Sequence, residues 1–255
     1  MNYGLFMSAS GTLNALYRMD VAANNLANSE TAGFKPEITT TQFRQSASIE
    51  DGLDLPSNAL LEKLGGGVFA APNKVNWRPG ALETTKNDLD IAILGNGFFR
   101  IRSGDGSKSG ITRDGRLSLN ASGQLVQASS GMLVANDSGD PITIRTNAPV
   151  RIDGRGIISQ NGNIVGRIGF VDVPDSQRDG LRKQGESMYK LDEGVETTPA
   201  TGQIVQRSIE KSSADPIRVM LDISQAERAA SSGSRMIQIH DEVMQRAITT
   251  FGRLA

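Results

Sequence analysis

The sequence contains no cysteine and only one histidine, and aromatic residues make up just 5% of it. A chain without cysteine can form neither a disulfide nor a thiolate site, and it fits oxidising and reducing compartments equally well. The single histidine, His240, argues against a histidine-based metal site. We therefore expect no metal and no cofactor.

The sequence also lacks an excess of charge of either sign and lacks a long apolar run. It has 27 Lys and Arg residues and 28 Asp and Glu residues, a net charge of −1. This balance lacks the excess positive charge that binds nucleic acid or an anionic membrane. No apolar run reaches the roughly 18 residues of a membrane span, and Met1–Ala27 has no basic segment followed by an unbroken apolar core. We expect no nucleic-acid partner, no membrane span and no cleaved secretory signal.

What the chain does contain is enough apolar sequence for a core and many glycines. Hydrophobic residues make up 38% of its 255 residues, so most of the chain should be globular. With 28 glycines, the composition is typical of short strands joined by tight turns.

Near the N-terminus, small and apolar residues recur at alternating spacings of four and three, the pattern of a helix seam. These residues are Leu5, Ala9, Thr12, Leu16, Met19, Ala23 and Leu26. The asparagines at 24, 25 and 28 follow the seam, and then Gly33 and Pro36. This order predicts a helix end and a turn with a positive φ at the glycine.

The C-terminal region repeats the same spacing over about five heptads, after Asp215 and Pro216 as predicted N-cap and first-turn residues. The residues of this seam are Val219, Ile223, Ala226, Ala230, Gly233, Ile237, His240, Met244, Ala247, Phe251 and Leu254. Neither helix can bury its stripe alone, so we expect the two to pair. Because many seam residues are small, the pair should be marginal in an isolated monomer and become ordered on assembly.

Between the two helices the apolar period changes to two, as in Leu89, Ile91 and Ile93. Turn sequences separate these runs and predict successive hairpins at Gly104–Gly106, Asp114-Gly115, Ser122-Gly123, Ser138-Gly139, Asp153-Gly154 and Asn161-Gly162. The predicted fold is mixed α and β, in which terminal heptad helices pair as a coiled-coil-like stalk and the middle forms a mainly antiparallel β domain.

The predicted organisation has four parts. They are the N-terminal helix over 1–36, an extended arm over 37–80 with a short helix at Asn58–Lys63, the β domain over 81–205 and the C-terminal helix over 206–255.

Three features that suggest chemistry have simpler explanations. Gly95-Asn96-Gly97 lacks the third glycine or Lys-Ser that a phosphate loop needs, so a hairpin turn is the better interpretation. Asp88 and Asp90 share one strand face without a nucleophile or base nearby in sequence, which indicates solvated charges. His240 lies on a helix seam, where a lone histidine usually serves packing.

Four segments carry recognisable motifs. The first is Ala23–Asn28 with Thr31, Gly33, Phe34 and Lys35; the others are Gly80–Leu82 before Thr84, Asp90–Ile93 running into Gly95–Phe99, and Thr112–Gly115 leading to Asn120 and Gly123–Leu125. In this order they resemble motifs of the bacterial flagellar rod and hook family. The resemblance covers nearly the whole chain, and its length and motifs are most similar to the proximal and distal rod proteins. Ile209–Ala214 departs from the Leu-Glu-x-Ser-Asn-Val segment that is usual in the family.

The resemblance implies a structural subunit of the basal-body rod, with no enzymatic activity, in which terminal helices form an inner tube and β domains an outer layer. It implies export by the flagellar type III apparatus and, as partners, copies of the chain and other rod and hook proteins. The alternatives are a hook, phage-tail or other secretion-system axial protein, and a β-scaffold glycan-binding module or enzyme. A sole tryptophan, Trp77, disfavours the glycan alternative.

The asparagine-rich segment could serve only as a local cap, or it could also bind a neighbouring subunit. Three amides in five residues exceed what one cap requires, and Phe34 would then be an apolar anchor. The residues that we expect at subunit interfaces are Leu5, Leu16, Met19, Asn24, Asn25, Leu26, Asn28, Gly33, Phe34, Ile223, Ile237, Met244 and Phe251.

Overall fold

The computed structural model describes residues 3–45, 66–145, 148–185, 187–192 and 194–251 of the chain. These residues form two compact units: the first contains 3–27, 37–45, 66–74 and 215–251, and the second contains 28–36 and the described part of 75–214. Terminal helices and a central antiparallel β domain confirm the predicted mixed fold. The helix predicted at Asn58–Lys63 lies outside the described residues.

The first unit contains two long helices and a pair of strands. The elements are α1 (Tyr3–Ala27), β1 (Glu37–Arg44), β2 (Gly67–Val75), which pairs with β1, and α2 (Pro216–Phe251). The predicted start of α2 is confirmed, because Asp215 Oδ1 accepts the Ile217 N–H at 3.0 Å and Pro216 is the first helical residue. Segment 37–80, predicted as an extended arm, thus contributes β1 and β2 to this unit.

The two helices run antiparallel and approach closely at small residues. A Cβ added to Gly4 would meet the His240 ring at 2.8 Å, and one added to Gly233 would collide with the Thr12 hydroxyl. Apart from one valine, the buried apolar seam of the described helices is alanine: Ala15, Ala22, Val219, Ala226 and Ala230. The predicted helix pairing is confirmed, and so is the predicted seam of α2. On α1 the prediction is wrong in part, because the buried apolar positions are Ala15 and Ala22, whereas Leu16 and Ala23 of the predicted seam are exposed. The observed seam consists of small residues and buries little apolar area.

The second unit consists of short strands. They are β3 (Leu82–Thr84), β4 (Ile91–Leu94), β5 (Phe98–Arg102), β6 (Ser109–Thr112), β7 (Leu117–Leu119), β8 (Leu125–Gln127), β9 (Leu133–Val134), β10 (Val150–Ile152), β11 (Ile157–Gln160), β12 (Asn163–Arg167), β13 (Phe170–Asp172), β14 (Leu181–Gln184), β15 (Met188–Leu191), β16 (Thr198–Pro199), β17 (Gln203–Gln206) and β18 (Ser208–Glu210). A 3₁₀ helix, Asp175–Gly180, precedes β14.

The largest sheet has the path β14-β15-β6-β5-β9-β8-β7, with β13 joined to β5 and β16 joined to β13. Smaller sheets pair β10-β11-β12, β17-β4 and β18-β3, and every register in this unit is antiparallel. Two apolar clusters form the core: one contains Ile91, Phe99 and Ile158, and the other contains Phe98 and Tyr189.

Most predicted turns join paired strands, as at Gly104–Gly106 between β5 and β6 and at Asn161-Gly162 between β11 and β12. Two hairpin predictions are wrong. Gly95–Gly97 and Asp114-Gly115 both connect strands that do not pair with each other, because β4 pairs with β17 and β7 pairs with β8. A tight turn between two alternating apolar runs can thus connect strands that are not neighbours in a sheet.

Candidate functional site: apolar helix surface and buried ion cluster

Large apolar side chains are exposed mainly on the helical unit. Of the 19 exposed large hydrophobic residues in the described chain, 15 belong to this first unit and four to the second. The most exposed on the helices include Leu13 at 67% and Ile217 at 72%. Scattered exposed apolar residues are ordinary on a soluble protein, but such a concentration indicates an interaction surface.

The end of α2 extends past the described part of α1. Because Gly4 faces His240 in the antiparallel pair, residues 242–251 continue beyond Tyr3 for about 15 Å, at 1.5 Å per residue. Val243 and Ile248 in this extension are 58% and 68% exposed. We call residues 242–251 the α2 extension.

The predicted interface residues occupy different environments. Leu16 and Met244 are exposed, at 40% and 42%, and Asn24 is exposed as well. The partly exposed residues are Leu5, Met19, Leu26, Asn28, Ile223 and Ile237. Phe251 is the last residue of α2, and its side chain lies outside what the structure describes. Contact of these residues with other subunits stays a prediction.

Asn25 has a local structural function. The side chain is buried, its Nδ2 donates to the Glu37 carbonyl at 2.8 Å, and its Oδ1 accepts the Glu37 N–H at 2.9 Å. The amide therefore substitutes for a backbone partner at the first residue of β1. Asn28 accepts from the Thr31 hydroxyl at 3.2 Å in the turn that follows α1.

Gly33 and Phe34 are buried within the same chain, in the second unit. Gly33 has φ +68°, and an added Cβ would lie 2.5 Å from the backbone of Arg113 and Asp114. The Phe34 ring is fully buried, with the Lys183 ammonium 3.6 Å from its centroid. Packing against this neighbouring backbone explains why the position requires a glycine.

Three buried charges meet a few residues from Phe34. Lys35 Nζ lies 2.5 Å from Glu210 Oε1, the Gly80 N–H donates to the same oxygen at 2.7 Å, and Arg113 Nη1 lies 3.1 Å from Oε2. The Lys35 and Glu210 side chains are fully buried and the Arg113 side chain is 5% exposed. We call Lys35, Arg113 and Glu210 the ion cluster.

Backbone carbonyls complete the ion cluster, which carries two positive charges and one negative charge. Lys35 donates to the Arg78 carbonyl at 2.8 Å. The Arg113 guanidinium donates to the carbonyls of Gly95 and Gly97 at 2.7 and 3.1 Å, so it fixes the loop between β4 and β5. Buried charges are tolerated when their donors and acceptors are paired in this way.

Burial lowers the pKa of Lys35 below its ordinary value of 10.5, and the nearby Arg113 charge lowers it further, whereas Glu210 opposes the shift.

Backbone hydrogen bonds beside the ion cluster join two parts of the chain that are distant in sequence. The Gly33 N–H donates to the Glu210 carbonyl at 2.8 Å and the Ser213 N–H donates to the Phe34 carbonyl at 3.2 Å. The segments that adjoin α1 and α2 in sequence are thus bonded to each other inside the second unit.

Sequence reasoning did not find the ion cluster. Its members stand inside the motifs that carry the family resemblance, in Phe34-Lys35, Thr112–Gly115 and Ile209–Ala214, and the charged residues among small and apolar neighbours were the available signal. No single sequence, however, says which lysine meets which glutamate.

Asp90 corrects another prediction. Its side chain is 9% exposed and accepts from the Thr85 hydroxyl and the Asn87 amide, both at 2.8 Å, so it stabilises a turn and is not a solvated charge. Asp88 is partly exposed and pairs with Arg207 at 2.6 Å.

In the described ranges, no group of three or more His, Cys, Asp or Glu side chains is placed to hold a metal ion. No helix of that part of the chain is long and apolar enough to span a membrane.

Two families match the chain in different regions. Residues 7–35 match the family described as flagella basal body rod protein, and residues 92–166 match the flagellar hook protein FlgE/F/G D1 domain. The first match covers most of α1 and ends at Lys35 of the ion cluster.

Similar proteins are found along the full length. The chain is 31% identical to the flagellar basal-body rod protein FlgF of Caulobacter vibrioides over 100% of both chains. It is 30% identical to FlgG of Bacillus subtilis over 96% of this chain and 97% of that relative. Identity to FlgF of Escherichia coli is 24% over 97% of both chains.

Proposed function

Because the chain belongs to the flagellar basal-body rod protein family, we propose that it polymerises into the rod through its terminal helices, as a structural subunit that serves motility. The observation that supports this most directly is the concentration of exposed apolar side chains on the helical unit, 15 of 19 in the described chain. A monomer gains little from exposing them, whereas a polymer buries them between copies.

The thin alanine seam supports the same proposal. Ala15, Ala226 and Ala230 let α1 and α2 approach closely but bury little area, so the pair depends on further contacts. Contacts from other copies would supply that area along the outer faces of both helices and along the α2 extension. If such contacts are heterologous and do not close, they generate a helical filament, the form that a rod requires.

The interface would include the sequence-predicted residues that reach the surface of the helical unit. Leu16 and Met244 would contribute apolar contact, and Asn24 would contribute an amide for a neighbouring subunit. For Asn25, Gly33 and Phe34, contacts within the chain account for their burial in the monomer. We propose that these three residues contribute to the interface indirectly, because their contacts within the chain fix the conformation of the neighbouring surface residues.

The partners we propose are copies of the chain, other rod and hook proteins, and the flagellar type III export apparatus. The proposed location is the rod of the basal body, and the proposed activity is mechanical and not enzymatic. The names of its relatives support the location, since each is a basal-body rod protein.

Labelling in purified basal bodies tests the proposal. The Asn161-Gly162 turn is exposed, and a Cβ added to Gly162 would meet no atom within 4 Å, so it accepts an inserted epitope tag. We expect electron microscopy to find the label on the rod, and a strain without the protein to lose motility. A label elsewhere in the cell would contradict the proposal.

A truncation that tests the N-terminal helix should end at residue 27, where the N-terminal segment of the first unit ends. Residues 28–36 belong to the second unit and contribute Lys35 to the ion cluster, so a deletion of 1–35 would damage the β unit as well. A deletion of 1–27 removes α1 alone and is the appropriate variant for asking whether assembly requires this helix.

A further inference from the structure

A cavity of about 390 Å³ opens on the second unit beside strand β5. Two arginines of that strand, Arg100 and Arg102, line it together with Ile111, Leu191 and Val195. As alternate residues of one strand, the arginines point to the same face and their Cα atoms are about 7 Å apart. The lining of the cavity therefore combines two positive groups with apolar side chains.

The two guanidiniums have unused hydrogen-bonding capacity. Arg100 Nη2 donates to the Thr197 hydroxyl at 2.8 Å, and Arg102 Nη1 donates to the Gly139 carbonyl at 2.9 Å. The Nε atoms of both residues are buried and find no hydrogen-bond partner among the described residues. A buried donor without a partner is unfavourable, and more so when it is charged.

Among the described residues, no carboxylate pairs with either of these two charges. The lining of the cavity contains neither aspartate nor glutamate, and neither arginine forms an ion pair within the described residues. Other arginines of this unit differ: Arg116, Arg178 and Arg182 each pair with an aspartate at 2.7–3.3 Å. The cavity is thus lined by two cations of one strand that pair with no carboxylate of the described residues, and an anion there would interact favourably with both.

The apolar wall restricts the kind of anion. Inorganic anions gain nothing from Ile111, Leu191 and Val195, whereas a carboxylate on a short apolar stem can meet the arginines with its charged end and this wall with its stem. Guanidinium groups match the geometry of a carboxylate, which accepts two parallel hydrogen bonds.

We propose that the Arg100–Arg102 cavity binds a carboxylate carried on a short apolar stem. Two sources share this chemistry: a small organic acid, or a glutamate side chain or chain terminus of a neighbouring polypeptide. The inference does not depend on the proposed polymerisation, because the cavity and its charges are complete within one copy of the second unit.

Binding of a simple probe tests the chemistry. Hexanoate is titrated into the full chain and followed by NMR shifts of the amides around the cavity, with hexanamide as the uncharged control. We expect saturable shifts with hexanoate alone. Arg100→Gln or Arg102→Gln should weaken binding about tenfold each, Arg102→Lys less, and Arg151→Gln, at an exposed site on β10, should leave it unchanged.

The variants are checked for an intact fold by the fluorescence of Trp77, which packs against Phe98 and Tyr189. Equal shifts with hexanoate and hexanamide, or binding that survives both glutamine substitutions in folded protein, would overturn the proposal. Inorganic phosphate serves as a third probe, and binding as tight as that of hexanoate would also overturn it, because the apolar wall would then contribute nothing.

A cross-linking experiment then identifies the source. A photo-reactive residue replaces Ser109, which is exposed on the rim, and cells that assemble flagella are irradiated. An adduct with another axial protein that Arg100→Gln abolishes assigns the carboxylate to a polypeptide. Hexanoate binding without such an adduct assigns it to a small organic acid.

Discussion

At the scale of single residues, Glu210 binds four residues of the second unit that are distant from it in sequence. Its carboxylate accepts from Lys35, Gly80 and Arg113, and its backbone carbonyl accepts from Gly33. Removal of one partner from a buried ionic group is strongly destabilising, because the opposite charges remain buried and unpaired.

We therefore expect Glu210→Gln to reduce the free energy of unfolding of the second unit by about 3–5 kcal/mol. The substitution keeps the size of the side chain and leaves Lys35 and Arg113 without a counter-ion. Denaturant titration followed by the fluorescence of Trp77, the only tryptophan, measures the effect in this unit.

Glu83→Gln is the control for that experiment. Glu83 pairs with Lys211 at 3.1 Å, and both side chains are more than half exposed, so its loss should change the unfolding free energy by less than about 1 kcal/mol. Similar losses for both variants would contradict the special role of the ion cluster.

Lys35 gives a prediction about pH. Since burial lowers the pKa of Lys35 in the folded chain, the unfolded chain binds more protons at this group between the folded pKa and 10.5. The contribution of Lys35 to the free energy of unfolding should therefore rise with pH across that window and become constant above 10.5. The measurement is the difference in unfolding free energy between the natural chain and Lys35→Met over an alkaline pH series, and a difference that falls with pH would contradict it.

At the scale of elements, the close approach of α1 and α2 depends on glycine at one position and not at another. A Cβ at Gly233 would collide with the Thr12 hydroxyl, whereas a Cβ at Gly11 would meet no atom within 4 Å. We expect Gly233→Ala to destabilise the helical unit by roughly 1–3 kcal/mol, and Gly11→Ala to stabilise it by roughly 0.5–1 kcal/mol.

Far-ultraviolet circular dichroism melts, combined with trypsin cleavage within α2, report on the helical unit separately from the β unit. The two alanine variants should shift the helical melt in opposite directions. A Gly233→Ala variant whose helical unit is as stable as that of the natural chain would show that the helices do not approach at Gly233 in solution.

The sequence predicted those elements whose signals are local. The seam spacing predicted both helices, Asp215 and Pro216 predicted the start of α2, and the Asn161-Gly162 dipeptide predicted its hairpin. Gly95–Gly97 was predicted wrongly because alternation identifies a strand but not its partner, and β4 pairs with β17, which lies more than 100 residues further along the chain.

The candidate site also contains parts that the sequence could predict and parts that it could not. The heptad spacing predicted that the two helices pair, but not their exposed surface, because only Leu16 and Met244 of the exposed large apolar side chains on the described helices belong to the predicted seams. The ion cluster could not, because Lys35 and Glu210 are 175 residues apart and no local pattern links them. The Phe34 environment depends on Lys183, which is likewise distant in sequence.

At the scale of the whole molecule, the two units differ in what they leave exposed. The second unit buries two apolar clusters and a complete set of ion-cluster contacts, and it contains four of the 19 exposed large hydrophobic residues of the described chain. The helical unit has an alanine seam and contains the other 15. This asymmetry is what a subunit needs if one part is stable alone and the other is completed by its neighbours.

The chain offers two comparable sets of exposed apolar residues for a test of that division. The residues of the first set, on the α2 extension, are Val243, Met244 and Ile248, which are 58%, 42% and 68% exposed. The second set, in the β unit, consists of Leu94, Ile164 and Val165, at 56%, 75% and 38%. Glutamine at each position removes apolar surface, and in α2 it keeps a high helix propensity.

The most direct test of assembly through the helices is the amount of each triple variant that is incorporated into purified basal bodies, in strains where it replaces the natural chain. Burial of one such side chain contributes about 1.5–3 kcal/mol, so the α2-extension variant should lose incorporation at least about tenfold while its β unit remains folded. The β-unit variant should be incorporated like the natural chain. Undiminished incorporation of the α2-extension variant would contradict the account.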